Sequence, residues 1–145
     1  MQVSTSITTD DYASIPSRAA ELEAAGFDAL STQDGRHEPF IPLALAATTT
    51  ERVGLVTNVA IAFPRSPMVA ATTAWDLQAL SKGRFTLGLG SQIRPHIQKR
   101  YSTEWRAPAA KMREYVESIQ AIHRCWADGE RLNYEGDHYL SLIHI

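Results

Sequence analysis

A single cysteine, Cys125, is all that the 145 residues contain, so the chain forms no intramolecular disulfide. A buried, inert thiol in a reducing cytoplasm is the expectation. No apolar run approaches the ~20 residues needed to span a bilayer. No charged segment followed by an apolar core opens the chain, so no signal peptide is expected. Charge of one sign is also missing: 14 Lys or Arg stand against 16 Asp or Glu, a formal net charge of −2. Such a balance offers no basic excess for nucleic acid or an anionic membrane. Repeats, low-complexity tracts and long linkers are absent, and 44% hydrophobic residues suit one globular unit. There is no P-loop, no nucleophile elbow and no set of metal ligands. His123 and Cys125 lie two apart in a helical pattern and share no face. Gly88-Leu-Gly90 begins like a dinucleotide motif, but Ile93 stands where the third glycine belongs and Pro95 where the helix should start.

Two apolar strands stand out against these absences. One reads Val53 to Phe63, the other Arg84 to Gln92. Each starts as a near-continuous apolar run, the mark of a parallel strand buried on both faces. Each then turns to small or polar residues, Thr57 and Asn58 in the first and Gly90, Ser91 and Gln92 in the second. Residues of this kind at the carboxyl ends of parallel strands are where α/β barrels and open sheets hold ligands.

The remaining pattern supplies the partners. Gln2 to Ile7 reads as a first strand, and Thr8-Thr-Asp-Asp11 offers helix caps. A helix from Tyr12 to Ala25 presents Ile15, Ala19 and Leu22, and Gly26 stops it. Phe27 to Thr32 is a second strand, interrupted by Asp28. A polar loop, Gln33 to Glu38, leads to an alanine-rich helix from Pro39 to Thr50. Pro64 and Pro67 precede a helix from about Met68 to Leu80, closed by Ser81-Lys-Gly83. Arg94 to Arg106 is polar, and its Arg94, His96 and Arg100 form a basic cluster that either belongs to a solvated loop or meets a phosphate or an acidic tail. Pro108 opens a long helix with Met112, Tyr115, Ile119, Ile122 and Trp126 in one stripe. Strand and helix thus alternate four times, which predicts βαβ units and a parallel sheet. A closed eight-stranded barrel takes ~250 residues, so four units are expected to form half of one. From spacing alone, Asp34 is either a ligand contact or a solvated turn residue, and His37 either a proton carrier or a loop bystander.

Phe27-Asp-Ala-Leu30, Thr57-Asn-Val59, the run Ala74 to Ser91 and Lys111-Met-Arg-Glu-Tyr-Val116 resemble the luciferase-like monooxygenase superfamily. More narrowly, they resemble its oxidoreductases that use the deazaflavin coenzyme F420. The resemblance runs from Met1 to about Tyr139. It implies the N-terminal half of a TIM (β/α)8 barrel, with a flavin or deazaflavin at the carboxyl ends of the strands. On that resemblance Asp34 matches an acidic residue that contacts the cofactor. Asn58 and Val59 match a pair joined by a non-proline cis peptide behind the cofactor ring. Ser91 and Gln92 match a loop lining the cofactor site. Gly35 stands where several relatives carry a histidine directly after the acidic residue, so either His37 reaches inward from nearby for proton transfer or this branch lacks that base. Ile93 stands where several carry a glutamate.

The implied activity is hydride transfer between reduced coenzyme F420 and a small organic substrate, by a full-length homodimer. Alternatives are an FMN-dependent monooxygenase using molecular oxygen, a non-catalytic flavin-binding protein, and a complete small nucleotide-binding domain. Tyr134 to Tyr139 reads as a hairpin. Leu140 to Ile145 departs from the pattern: one frame of CTG-TCT-CTT-ATA-CAC-ATC, a transposase-adapter sequence, encodes it. Residues 1–139 are therefore read as the family-like domain and 140–145 as a non-native tail.

Overall fold

The computed structural model describes residues 1–7 and 10–143. In chain order its strands are β1 (Ser4–Ser6), β2 (Ala29–Thr32), β3 (Gly54–Thr57), β4 (Ala60–Ile61), β5 (Phe85–Thr86), β6 (Leu89–Gly90), β7 (Tyr134–Glu135) and β8 (Leu140–Ser141). The α-helices are α1 (Ile15–Ala24), α2 (Phe40–Ala47), α3 (Pro67–Leu80), α4 (Arg94–Lys99) and α5 (Pro108–Asp128). The chain divides into two compact units, Met1–Ala60 with Ala74–Leu89 and Ile61–Thr73 with Gly90–Ile145.

The first unit is built on a parallel sheet of order β1-β2-β3-β5. Ser4 pairs with Ala29, Leu30 with Leu55, Thr32 with Thr57, and Leu55 with Phe85. Leu30, Leu55 and Phe85 thus line up across three strands, where they join a core with Ile15, Ala19 and Leu22 of α1 and Leu43 and Ala46 of α2. The expected helix therefore forms with its expected face inward. It opens through a short 3-10 turn, Tyr12–Ser14, whose Asp11 carboxylate accepts the Ala13 N–H at 3.1 Å. Thr8 and Thr9, read with Asp11 as caps, lie outside the described residues. Gly26, at φ +90°, ends α1 where no side chain is easily accommodated. Helix α2 is shorter than its sequence pattern, because the Thr48 and Thr50 hydroxyls donate to the Leu45 and Ala46 carbonyls at 2.7 and 2.8 Å.

Three expectations are corrected. Val53 to Phe63 is not one strand: it breaks after Thr57, at the Asn58–Val59 peptide, which is cis as the family resemblance implies. Arg84 to Gln92 likewise splits into β5 and β6. Nor is the sheet buried on both faces. Leu30, Thr32, Leu55 and Thr57 are buried, whereas Ala29, Ser31, Gly54 and Val56 on the other face are half-buried. A cavity of about 480 Å³ opens there beside Ala29, Gly54, Val56 and Thr86.

Charged side chains tie the amino ends of the strands. Asp28, which interrupts the apolar pattern, accepts the Val3 N–H at 2.6 Å and so anchors the start of β1. Glu23 accepts the N–H groups of Glu51, Arg52 and Val53 ahead of β3, the last two at 2.7 Å. Burial pushes the Glu23 carboxyl up, but these three donors outweigh it and hold the carboxyl below its usual range. Arg84 donates to the carbonyls of Thr50, Val53 and Ser81 at 2.7 to 2.8 Å.

The second unit centres on α5. Tyr115, Ile119, Ile122 and Cys125 are buried along it, as the stripe and the inert thiol predict. The Tyr115 hydroxyl donates to the Ser66 carbonyl at 3.4 Å, and its ring meets Tyr139 edge-on. The Glu114 carboxylate accepts the His138 N–H at 2.7 Å in the turn between β7 and β8. β8 consists of the first two residues of the stretch read as a tail; His144 and Ile145 lie outside the described residues. The polar stretch Arg94 to Arg106 is corrected too: its first six residues form α4, held by the fully buried Ile97. Pro95 sits in the first turn of α4, where a missing N–H costs nothing.

Two outcomes test this description. A Cβ at Gly88 would lie 2.0 Å from the Thr57 carbonyl oxygen, whereas one at Gly35 would meet nothing within 4 Å. Gly88→Ala is expected to cost about 3 kcal/mol or more, and Gly35→Ala close to nothing, as read by soluble yield and the urea midpoint. Strands β1 and β5 are the sheet's edges. Because exposed edges template further pairing, the 145-residue chain alone should self-associate in size-exclusion chromatography with light scattering. A monomer with a sharp unfolding transition contradicts this.

Candidate cofactor site at the carboxyl ends of the strands

Thr32 and Thr57 end β2 and β3 in register, and both are buried. The Thr32 hydroxyl donates to the Pro39 carbonyl at 2.7 Å, pinning the loop between β2 and α2. The Thr57 hydroxyl accepts the Gly88 N–H at 2.9 Å and donates to the Gly88 carbonyl at 2.8 Å. One hydroxyl so replaces two ladder bonds, since it is both donor and acceptor. The same Gly88 carbonyl accepts the Ala60 N–H at 2.8 Å.

Between these anchors the chain bulges at Asn58 and Val59. The Asn58 N–H donates to the Thr32 carbonyl at 2.7 Å, and the Asp34 N–H donates to the Val59 carbonyl at 3.2 Å. Both side chains of the bulge face solvent, Val59 with 37% exposure. An exposed valine next to the exposed Asn58 amide gives a small apolar platform with a polar edge.

His37 lies in the next turn of the loop. With Thr32, Gln33, Gly35, Arg36, Glu38 and Pro42 it lines a cavity of about 190 Å³. Its Nε2 lies 2.5 Å from Asp10 Oδ1, and its ring meets Tyr12 edge-on at 5.7 Å. Arg36 adds a longer ion pair to Asp10, 3.7 Å. The hydrogen bond from His37, then the charge of Arg36, hold the exposed Asp10 carboxyl below its usual range.

The structure thus brings Asp34, His37, Asn58 and Val59 to one end of the first unit's sheet. Ser91 and Gln92 belong to the second unit. There the Ser91 hydroxyl donates to the Gln92 carbonyl at 3.2 Å, and Gln92 adopts φ +60°, left-handed for a residue with a side chain. Asp10, Thr32 and Gly88 were missed as site-building residues, whereas Thr57 was already marked as a ligand-side strand end. The ending Leu-Ser-Thr32, matched to Leu-Val-Thr57, was the available signal for Thr32. Nothing local marks Asp10 as the partner of a histidine 27 residues away.

The luciferase-like monooxygenase family model matches residues 1–144. The chain belongs to that family. It is 53% identical over 125 residues to an uncharacterized protein of Mycobacterium tuberculosis, a match covering 86% of this chain and 37% of that one. It is 31% identical over 130 residues to an F420-dependent glucose-6-phosphate dehydrogenase of Intrasporangium calvum, covering 81% of this chain and 39% of the relative. Among solved structures it resembles the oxygenating constituent of 3,6-diketocamphane monooxygenase from Pseudomonas putida, in complex with FMN. The TM-score is 0.80 at 15% identity, covering 99% of this chain and 45% of that one. The chain therefore spans less than half the length of these relatives, and its parallel α/β architecture fits a partial luciferase-like barrel.

Removing the His37 ring should raise the Asp10 titration toward the ordinary carboxylate range. A carboxyl with a lowered folded pKa contributes stability above its unfolded pKa and loses it as pH falls through the folded value. The Asp10–His37 contact should accordingly open only below about pH 4, near the unperturbed carboxylate pKa. NMR titration of the Asp10 carboxyl in wild type and His37→Ala checks both expectations.

Proposed function

We propose that the chain forms one wall of a deazaflavin site in an oxidoreductase that moves a hydride between reduced coenzyme F420 and a small organic substrate. The observation that carries this reading is the convergence of Asp34, Asn58 and Val59 at the carboxyl ends of parallel strands, next to the cavity lined by His37. The 31% identity to an F420-dependent dehydrogenase supports the choice of coenzyme. At about 190 Å³ the cavity is smaller than the ~300–1,000 Å³ of typical ligand pockets. The residues present suit one face of a flat ring, not its whole enclosure.

The bound deazaflavin supplies or accepts the hydride. Val59 presents an apolar surface to the ring, and the Asn58 amide offers both a donor and an acceptor at its edge. Asp34 is oriented by its own N–H bond to Val59, so cofactor contact and bulge are positioned together. His37 holds or moves the proton that accompanies the hydride, with the Asp10 carboxylate accepting from Nε2 and fixing the ring. Thr32 and Thr57 keep this end of the sheet rigid.

The test is titration of the full-length protein with reduced F420 and, separately, FMN, followed by fluorescence. Micromolar binding of F420 and none of FMN is expected; the reverse preference replaces this reading with flavin monooxygenase chemistry. Asp34→Ala should weaken F420 binding roughly tenfold to a hundredfold, the loss of a hydrogen bond to a charged group. His37→Ala should lower turnover with affinity unchanged. An Asp34→Ala titration that matches wild type contradicts the role of Asp34.

A further inference from the structure

Glycine at two positions is demanded by the backbone: Gly26 turns with φ +90°, and Gly88 closes against the Thr57 carbonyl. Gly35 meets neither demand. Its φ lies outside the left-handed region, and a Cβ there would touch nothing within 4 Å. Its N–H donates to the His37 carbonyl at 3.3 Å, a bond open to any residue but proline. A loop glycine meanwhile carries an entropic cost that a side chain would reduce. The fold therefore supplies no reason for the missing side chain at this position. What its absence leaves is space, since Gly35 lines the cavity of about 190 Å³ that His37 shares.

The wall of that cavity belongs wholly to the first unit, and most of its polar groups already have protein partners. The Thr32 hydroxyl donates to the Pro39 carbonyl, and the Glu38 carboxylate accepts the Phe40 N–H, both at 2.7 Å. Arg36 and the Nε2 of His37 are turned to Asp10. Pro42 adds hydrocarbon, and the His37 ring, edge-on to Tyr12, is the wall's one candidate acid or base of the proposed chemistry. An anionic group in this space would face the Glu38 carboxylate, and an ammonium would give up hydration against Pro42. Size sets a second limit. A cavity of roughly 150 Å³ takes one six-membered ring, so this one takes a single ring or a short branched chain.

We propose that Gly35 is a specificity-determining residue: by carrying no side chain it opens the cavity to one compact, uncharged group of the substrate, a single ring or short branched chain bearing a carbonyl or hydroxyl, and seats that group against His37. With the coenzyme ring on the Asn58–Val59 bulge, the cavity is left for substrate. That assignment rests on the function proposed above. The preference of the cavity for a compact uncharged group does not, because it follows from Gly35, Pro42, His37 and Glu38 alone. A side chain at position 35 would narrow the range of groups admitted without disturbing the fold, since it would project into space that no protein atom occupies.

The full-length protein, free of coenzyme, is titrated with cyclohexanone while the His37 ring protons are followed by NMR, and glucose 6-phosphate serves as the anionic comparison. Cyclohexanone should give a saturable shift at His37, and glucose 6-phosphate none. Gly35→Leu should weaken cyclohexanone binding by roughly tenfold or more, because its side chain takes the space that the ring needs. Gly35→Ala should weaken it by a smaller factor. Urea midpoint and F420 affinity should stay at wild-type values in both variants. No shift with cyclohexanone, wild-type affinity in Gly35→Leu, or a larger shift with glucose 6-phosphate overturns the proposal. Should Gly35→Leu lose its fold, Gly35→Ala decides by the same readout, and affinity equal to wild type rejects the cavity. A protein that takes FMN in place of F420, yet binds cyclohexanone in a manner that depends on position 35, rejects the coenzyme reading and upholds this one.

Discussion

The Thr57 hydroxyl is the pivot of the candidate site. By bonding both polar groups of Gly88 it lets β3 and β5 stop exchanging ladder bonds without leaving buried backbone groups unsatisfied. The approach is close enough to exclude any side chain at Gly88. Once the ladder opens there, Asn58 and Val59 can turn outward, with Thr32 and Asp34 holding them from the neighbouring strand. The bulge is therefore a product of the strands on either side of it. A strand whose ladder continued through Thr57 would bury Val59 or point it elsewhere.

The two ends of the sheet are built differently. At the amino ends Glu23, Asp28 and Arg84 spend their hydrogen-bonding capacity on backbone groups of the strands. Those charges serve the fold. At the carboxyl ends the Thr32 and Thr57 hydroxyls and the Glu38 carboxylate, which accepts the Phe40 N–H at 2.7 Å, satisfy backbone groups, while Arg36 and His37 line a cavity beside them. Arg36 and His37 thus stand at a cavity on the end where α/β folds hold ligands.

The second unit follows another logic. Tyr115 and Tyr139 pack edge to edge, and burial raises the titration of both phenols, Tyr139 to about 12. Both remain protonated near neutrality and act as apolar packing with polar tips. Glu114 accepts backbone N–H groups in the hairpin turn, and burial is again outweighed by those donors, which hold its carboxyl low. A Cβ at Gly136 would come within 2.4 Å of that carboxylate, so Glu114 and the hairpin are fitted to each other. Lys111 sits 4.9 Å from the Phe63 ring centroid, with Trp105 edge-on to the same ring. These contacts hold the loop after α4 against the start of α5.

Much of this was legible in the sequence. Apolar spacing located α1, α3 and α5 and the buried residues on the first and last of them, because helical period and burial are local consequences of side-chain order. Alternation of strand and helix fixed the parallel sheet, and the polar residues after Val56 and Leu89 marked the end that matters. The breaks within the two long apolar runs were not legible. Val53 to Phe63 has the composition of one strand, and only the sheet around it, through Thr32, Thr57 and Gly88, decides that it must divide. Asp10 and His37 meet for the same reason: the segment between them, 27 positions from one to the other, contains a complete helix and strand, and the pairing exists only once both are packed. The sequence by itself determined the elements, their order and the chemistry available at each strand end. Tertiary structure alone decided which of those groups face each other, because hydrogen bonds between distant segments depend on register and packing, which no local pattern encodes.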